Sequence, residues 1–398
     1  MADPRRFLFV TLPSGPFGNY LDRALRARGA LARRVVMNGG EWFDWVGGDT
    51  AWFRGPRDGF APWVERVLKR DGVTDVVVFN DVNPYSQDAL QAARALGVST
   101  WILENGYQRP DWITLETEGV NARSGLPRDP AAYDDADSLA PPQDGGHIGP
   151  ITPFHVFNTI QHFTLMVLFS PWLSGYRYPY TVTVGGQVFG HLRRYSIWLW
   201  TRRARERQAE QVAKLSPYFL VCLQREGDSQ LMVHSDLKTN TAYMETVIGS
   251  FAAHAPQAAR LVIKNHPLDP GLTNLERIAF RIAARHGVQH RLHFLEGGNF
   301  AALSRASEGV VSVNSTAALA AMGFGTPVKL LGRAFFDVPG LADQQPLEGF
   351  WSAPAKPDLD LFHRFRRRMS VQTQVWGSFH APASLEGTAR RLAERMLA

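Results

Sequence analysis

Along the first hundred residues the apolar positions alternate between two periods. Continuous short runs at 7–11, 34–37, 76–79 and 99–103 predict strands buried on both faces, since β-branched and aromatic residues fill them without polar alternation. Helical spacing separates those runs over 20–33 and 62–70, the latter with Trp63, Val64, Val67 and Leu68 on one face. Ser86 is the expected cap of the next helix. Strands alternating with helices predict a parallel sheet covered by helices. The pattern resumes at Pro217, with strands expected at 218–223, 261–264, 292–295, 309–313 and 327–331 and helices at about 240–254, 272–286, 299–306 and 315–323. A basic helix at 362–369 and an amphipathic helix after Ser384 follow.

The segment between these halves has a different character. Residues 121–150 are rich in Pro, Gly and Asp with no apolar period, which predicts a long loop. Residues 151–213 read as an aromatic helical connector ending in interleaved arginine and tryptophan. The expected domains are therefore 1–213, an α/β domain that includes the connector; 214–350, a second α/β domain; and 351–398, a helical return. In the first half each strand ends in a polar turn: LPSGPFG (12–18), NGGE (38–41), NDVN (80–83) and ENGYQRP (104–110). Ligands of open α/β sheets sit beyond the carboxyl ends of strands, so four such turns predict a crevice there.

Composition narrows the picture. A chain of 398 residues suits two domains, and 45% hydrophobic with 20% charged residues is globular. The net charge is +6, and of the basic residues only Lys69, Lys214, Lys238, Lys264, Lys329 and Lys356 are lysine. The arginine excess fits either a GC-rich genome or a phosphate-binding surface. A basic balance also suits nucleic acid, but no nucleic-acid motif accompanies it. Cys222 is the single cysteine; within an apolar run it reads as a buried structural thiol and suits a reducing compartment. The absence of an apolar signal region, and the polar interruptions within 154–173, predict a cytoplasmic protein without a membrane span.

Four groups can carry chemistry. KNHP places Lys264, His266 and Pro267 at a strand end, where a histidine can donate to a phosphate or simply serve a loop. In VNST a strand gives way to Asn314, Ser315 and Thr316 at a helix start, an anion site by its free N–H groups or an ordinary cap. QREGDSQ holds Gln224, Asp228 and Gln230 after another strand; Asp228 suits either a nucleophilic carboxylate or an Asx-turn. Glu104 begins ENGYQRP and would supply a second carboxyl group, with Arg109 beside it for an anionic ligand. Neither Asp135-Ala-Asp137 nor Asp358-Leu-Asp360 follows an apolar strand, and no zinc-ligand spacing occurs, so no metal is expected. The arginine and tryptophan of the connector fit a bilayer interface rich in anionic lipid, or packing between domains.

The runs PSGPFG (13–18), VMNGGEWF (36–43), 104–133, LQREGDSQ (223–230), VIKNHPLDPG (262–271), 314–341 and TQVWGSFH (373–380) resemble, in order, the signature blocks of the KpsS (LipB) family of capsule polysaccharide proteins. The resemblance implies a GT-B fold of two Rossmann-like domains facing a cleft, with C-terminal helices returning to the first. It also implies that the first domain is acceptor-side and the second binds the nucleotide sugar, in a retaining β-Kdo transferase that uses CMP-Kdo as donor, without cofactor or metal, and starts a poly-Kdo linker on a phosphatidylglycerol-type lipid before ABC-transporter export. Implied partners are that lipid, the inner face of the inner membrane as a peripheral site, and other capsule biosynthesis and export proteins; no nucleic acid is implied. Residue by residue, it makes His266 and the Asn314–Thr316 turn cytidylate-phosphate binders, with Lys264 and Pro267 beside them. Asp228 becomes the nucleophile and Glu104 the acid/base group. Gln224, Gln230, Arg109, Asn38 and Gly15 face donor or acceptor. Two departures stand out: Asn105 replaces a second acid, and Trp376 replaces an expected asparagine. A non-catalytic export factor, or a transferase using another nucleotide donor, remains the alternative.

Overall fold

The computed structural model describes residues 3–141, 145–179, 184–227 and 229–398, excluding the side chains of 184, 187, 188, 191, 192, 195, 198, 229 and 230. It divides into two compact units, one of Met1–Gly125, Leu139–Pro179 and Arg368–Ala398, the other of Leu126–Ser138 and Tyr180–Arg367. The connector is thus shared out, its residues to Pro179 belonging to the first unit and the remainder to the second.

In the first unit the chain runs β1 (Arg6–Phe9), α1 (Phe17–Arg26), β2 (Leu31–Val36), α2 (Gly39–Asp44), β3 (Asp49–Trp52), α3 (Phe60–Arg70), β4 (Asp75–Phe79), α4 (Pro84–Ala95), β5 (Ser99–Asn105), β6 (Trp112–Glu116) and α5 (Thr152–Leu168). The second unit adds α6 (Val184–Val212), β7 (Tyr218–Cys222), α7 (Ser229–His234), α8 (Asn240–His254), β8 (Arg260–Lys264), α9 (Leu275–Arg285), β9 (Leu292–Leu295), α10 (Phe300–Arg305), β10 (Gly309–Ser312), α11 (Thr316–Gly323), β11 (Val328–Leu330) and α12 (Leu347–Phe350), and α13 (Leu359–Thr373) begins in the second unit and ends in the first. The tail then forms β12 (Gln374–Trp376) and α14 (Leu385–Leu397).

Sheet order in the first unit is β12-β6-β5-β4-β1-β2-β3. Strands β1 to β5 pair in parallel, whereas β6 runs antiparallel to β5, and β12 antiparallel to β6. Period-two alternation splits the core in two. Phe7 and Phe9 join Leu21, Leu25, Leu392 and Met396 on one face; Leu8 and Val10 join Val64, Val67, Val76 and Val78 on the other. The return to the first unit therefore includes α14, which packs its apolar face over α1, and an edge strand.

Two expectations change. The helix placed at 20–33 ends at Arg26, because the backbone at Gly29 adopts φ +81° and the chain re-enters the sheet at Leu31. Ser86 does not cap α4: Asn83 does, its Oδ1 accepting the Tyr85 N–H at 3.0 Å. Ser86 is instead fully buried one turn in, its hydroxyl 2.9 Å from that of Thr11.

The second unit holds a five-stranded sheet in the order β11-β10-β7-β8-β9, every pairing parallel. Phe219, Val221, Tyr243, Val247, Phe251, Ile263, Val311 and Trp351 fill one side of it. Each unit thus has a Rossmann-type centre, in which the first strand lies inside and the chain crosses back over it midway. The architecture is α/β with two such units, as expected.

Candidate functional site

In the second unit the chain passes from the outer strand β9 back across the sheet to β10, beside β7. That reversal makes the carboxyl ends of β7 and β10 a topological switch point, where neighbouring loops diverge and leave room for a ligand. Gln224, just past β7, donates from Nε2 to Asn314 Oδ1, just past β10, at 2.6 Å. The side chain is 5% exposed, and its Oε1 is buried with no hydrogen-bond partner. Asn240, at the start of α8, secures the same loop from below: its Oδ1 accepts the Gln224 N–H at 3.3 Å and its Nδ2 donates at 2.8 Å to both Gln224 O and Glu226 Oε2.

Ser315 and Thr316 stand half-buried at the start of α11. Ser315 is the cap, Oγ accepting the Ala317 N–H at 3.3 Å while its own N–H donates to Ser312 Oγ at 3.3 Å. Thr316 opens the helix, whose first N–H groups and dipole favour an anion.

His266 lies past β8, half-buried, with Pro267 exposed behind it. Nδ1 of His266 accepts the Leu268 N–H at 3.1 Å, so the neutral ring carries its proton on Nε2, the tautomer needed to donate to a phosphate oxygen. A charged network holds this loop. Arg194 of α6 donates to Asp269 O at 2.6 Å, His266 O at 3.1 Å and Glu296 Oε2 at 2.9 Å; Asp269 accepts the Glu226 N–H at 2.9 Å; Asn265 donates to Glu296 Oε1 at 3.0 Å. Lys264, 9% exposed at the end of β8, has its pKa lowered by burial, with Glu296 opposing the shift. Burial pushes the neighbouring Cys222 thiol up to about 12, which keeps it protonated and inert.

Asp228 lies outside the described residues. Gln230 falls within α7, but its side chain is likewise outside the description. The strand ends therefore bring together Gln224, Lys264, His266, Asn314, Ser315 and Thr316 from the expected set. Asn240, Arg194, Asp269 and Glu296, which position them, were missed. Asn240 had one legible signal, a polar residue at the expected start of a helix.

In the first unit the remaining expected residues lie along the corresponding sheet edge. Glu104 is half-buried on β5 opposite Thr114, and its Oε1 accepts the Asn105 backbone N–H at 2.8 Å and side-chain Nδ2 at 3.3 Å. Asn105 therefore steadies the carboxylate where the resemblance called for a second acid. Arg109 is exposed, donating from Nε to Gly106 O at 3.3 Å. Asn38 caps α2, Oδ1 accepting the Glu41 N–H at 3.0 Å, while its Nδ2 is buried without a partner. Gly15 has φ +100°, and a Cβ there would lie 2.6 Å from Asn158 Nδ2, so only glycine allows the loop after β1 to meet α5. Trp376 donates from Nε1 to Gly146 O at 3.0 Å, with the Arg391 guanidinium 4.4 Å from its ring centre. Beneath α2 sits a charged group that sequence reasoning passed over: Arg34, 1% exposed, facing Glu41 and Asp44, with His162 Nδ1 of α5 2.7 Å from Asp44 Oδ2. Burial raises the Glu41 pKa, against the pull of Arg34.

Comparison with known proteins agrees with the resemblance read from the sequence. The chain is 31% identical over 387 residues to the capsule polysaccharide export protein KpsS of Escherichia coli, covering 93% of this chain and 96% of that protein. It is 30% identical over 393 residues to the capsule polysaccharide modification protein LipB of Neisseria meningitidis serogroup B, covering 94% and 91%. Among solved structures, the β-Kdo 2,7 transferase KpsC of Thermosulfurimonas dismutans aligns over 98% of this chain and 100% of that one, with 14% identity and a TM-score of 0.47. The model of the capsule polysaccharide biosynthesis protein family matches residues 74–380, and the chain belongs to that family.

Proposed function

We propose that this protein is a retaining β-Kdo transferase that moves Kdo from CMP-Kdo to a phosphatidylglycerol-type lipid and so starts the linker for ABC-transporter-dependent capsule export. The observation that carries the reading is the switch-point site of the second unit. A buried unpaired acceptor on Gln224, a histidine whose Nε2 bears the proton, and a helix start with Ser315 and Thr316 match the needs of a nucleoside monophosphate leaving group. The cytosine amino group or a ribose hydroxyl can donate to the acceptor, and the histidine and helix start can meet the phosphate.

In the proposed first step the Asp228 carboxylate attacks the anomeric carbon. The bond from that carbon to the phosphate oxygen breaks, and CMP leaves with the electron pair, its charge met by His266 and the start of α11. In the second step the lipid hydroxyl attacks the same carbon, passes its proton to Glu104 and displaces the ester, so two inversions give net retention. No metal enters the scheme. The lipid acceptor requires membrane contact, which the exposed apolar residues of α2 and α5 suit.

The test incubates purified protein with CMP-Kdo generated in place and a short-chain phosphatidylglycerol, in EDTA, read by mass spectrometry. A product one Kdo heavier, lost in Asp228→Ala and accompanied by about tenfold weaker CMP binding in Gln224→Leu, is the expected result. CMP binding without product would transfer the assignment to another donor or acceptor. No nucleotide binding would favour a non-catalytic export factor, the reading that the name of the Escherichia coli relative suggests.

A further inference from the structure

The first unit has a pocket that the proposed chemistry does not use. It is a cavity of about 190 Å³ between the end of β5, the start of β6 and the loop after β12, lined by Asn105, Arg109, Trp112, Ile113, Phe379 and His380 among others. Its base is apolar, with Ile113 and Phe379 each 2% exposed, whereas Asn105 and Arg109 are exposed. Among the described residues, none that lines it is acidic. Asp111, next in sequence to the lining, is engaged elsewhere, accepting the Ile148 N–H at 3.1 Å and lying 3.1 Å from His147 Nδ1.

Two features point to a ligand. Arg109 forms no ion pair among the described residues and spends only Nε on the protein, leaving the Nη side of its fork for another acceptor. Nδ1 of His380 is buried with no hydrogen-bond partner, and the ring lies against that of His155, centroids 4.0 Å apart. A guanidinium and an imidazole over an apolar base, with no carboxylate in the described lining, select an anion attached to an apolar body. The apolar lining continues to Ile151, just before α5, and His155 follows one turn on, on the same side of the helix.

We infer that this pocket binds the phosphate of an amphiphile, with Arg109 and His380 at the phosphate and the apolar wall of Ile113, Ile151 and Phe379 against its chains. The inference rests on the lipid-acceptor reading only for the identity of that amphiphile; the ligand chemistry follows from the lining.

Imidazole nitrogen NMR of the full-length protein, with His380 assigned by its loss in His380→Gln, tests it. The probes are inorganic phosphate, glycerol phosphate and dihexanoyl-phosphatidylglycerol below its micelle concentration. Saturable shifts of His380 and His155 with the lipid are expected, at least about tenfold tighter than with either free phosphate and weakened about tenfold or more in Arg109→Gln, an exposed change that spares the fold. Lipid binding that leaves both imidazoles unmoved, or that Arg109→Gln does not weaken, would overturn the assignment. Equal affinity for free phosphate and lipid would refute the amphiphile. The two readings separate cleanly: saturable shifts without Kdo transfer to this lipid would sustain the pocket and sink the acceptor proposal, whereas transfer with unmoved imidazoles would do the reverse.

Discussion

His380 shows how a single side chain can set a response of the whole fold. Its ring is held away from water and beside His155, and these two effects, burial first, bring its pKa down to about 3 from an ordinary 6.5. The folded state therefore resists a proton that the unfolded chain accepts readily. Between the two values the unfolded state binds more protons, so stability rises with pH across that window. The protein should be fully stabilised in this respect above about 6.5 and should lose stability progressively as pH falls toward about 3. From pH 6.5 to about 5 this one group can cost up to about 2 kcal/mol. Thermal unfolding across that range should fall more steeply for the native protein than for His380→Gln, which has no proton to gain. Parallel curves would show that His380 titrates normally in the fold. A bound phosphate would act in the opposite direction, raising the pKa of the ring and flattening the native curve.

At the scale of elements, the ends of the second unit's strands owe their shape to a helix outside their sheet. Arg194 of α6 is 13% exposed on its side chain and meets Asp269 and Glu296, whose other contacts fix the loops that carry Gln224, Asn265 and His266. Removing one partner of a buried charge group leaves the others desolvated and unpaired, a loss of roughly 3 kcal/mol. Arg194→Met should therefore lower the denaturation midpoint and weaken CMP binding together. Undiminished CMP binding at an unchanged midpoint would show that the loop stands without α6.

The same contrast explains what was legible in advance. Strands β7, β8 and β10 were readable from their short apolar runs, and Gln224, His266 and Asn314 followed as polar residues just beyond them. By contrast, β3, β6 and β12 are short or polar, and they exist through pairing. Trp376 opposes Trp112, and Gln374 reaches back to donate to Thr114 Oγ1 at 3.0 Å and accept the Tyr107 N–H at 2.9 Å, contacts between distant parts of the chain that no local period encodes. Arg194 was visible as one basic residue of a connector; its role depends on where α6 packs. The pocket at β5, β6 and β12 was hidden for the same reason, since its wall includes a strand that sequence reading did not anticipate.

For the whole molecule the distribution of apolar surface and charge bears on the membrane contact proposed above. No helix among the described residues is long and apolar enough to cross a membrane. Yet the first unit exposes Val46 at 77%, Trp172 at 72%, Phe157 at 63%, Ile160 at 62% and Leu168 at 59%. Trp42 and Phe43 of α2 meet Phe169 at ring separations of 5.5 and 5.7 Å, and Trp172 continues the group at 5.9 Å. A connected aromatic surface of this kind suits the headgroup level of a bilayer, where rings bury their faces without spanning. The arrangement is braced from behind: Asn158 is 5% exposed against the Gly15 loop, and His162 meets Asp44, so α5 can present its other residues outward without detaching. A net charge of +6 adds attraction to anionic lipid that salt will screen, whereas the apolar contribution will persist. Flotation with phosphatidylglycerol-containing vesicles should therefore show binding that weakens but survives at about 0.5 M salt, where the Debye length is only a few ångströms. Trp42→Ser with Trp172→Ser should reduce binding about tenfold or more at either ionic strength, because two partly exposed indoles contribute roughly 1.5 kcal/mol or more between them at an interface. Since both side chains are substantially exposed, the unfolding midpoint should stay near that of the native protein. Binding abolished by salt alone and indifferent to the two tryptophans would reduce the attraction to charge and remove this surface from the account of how the protein reaches a lipid.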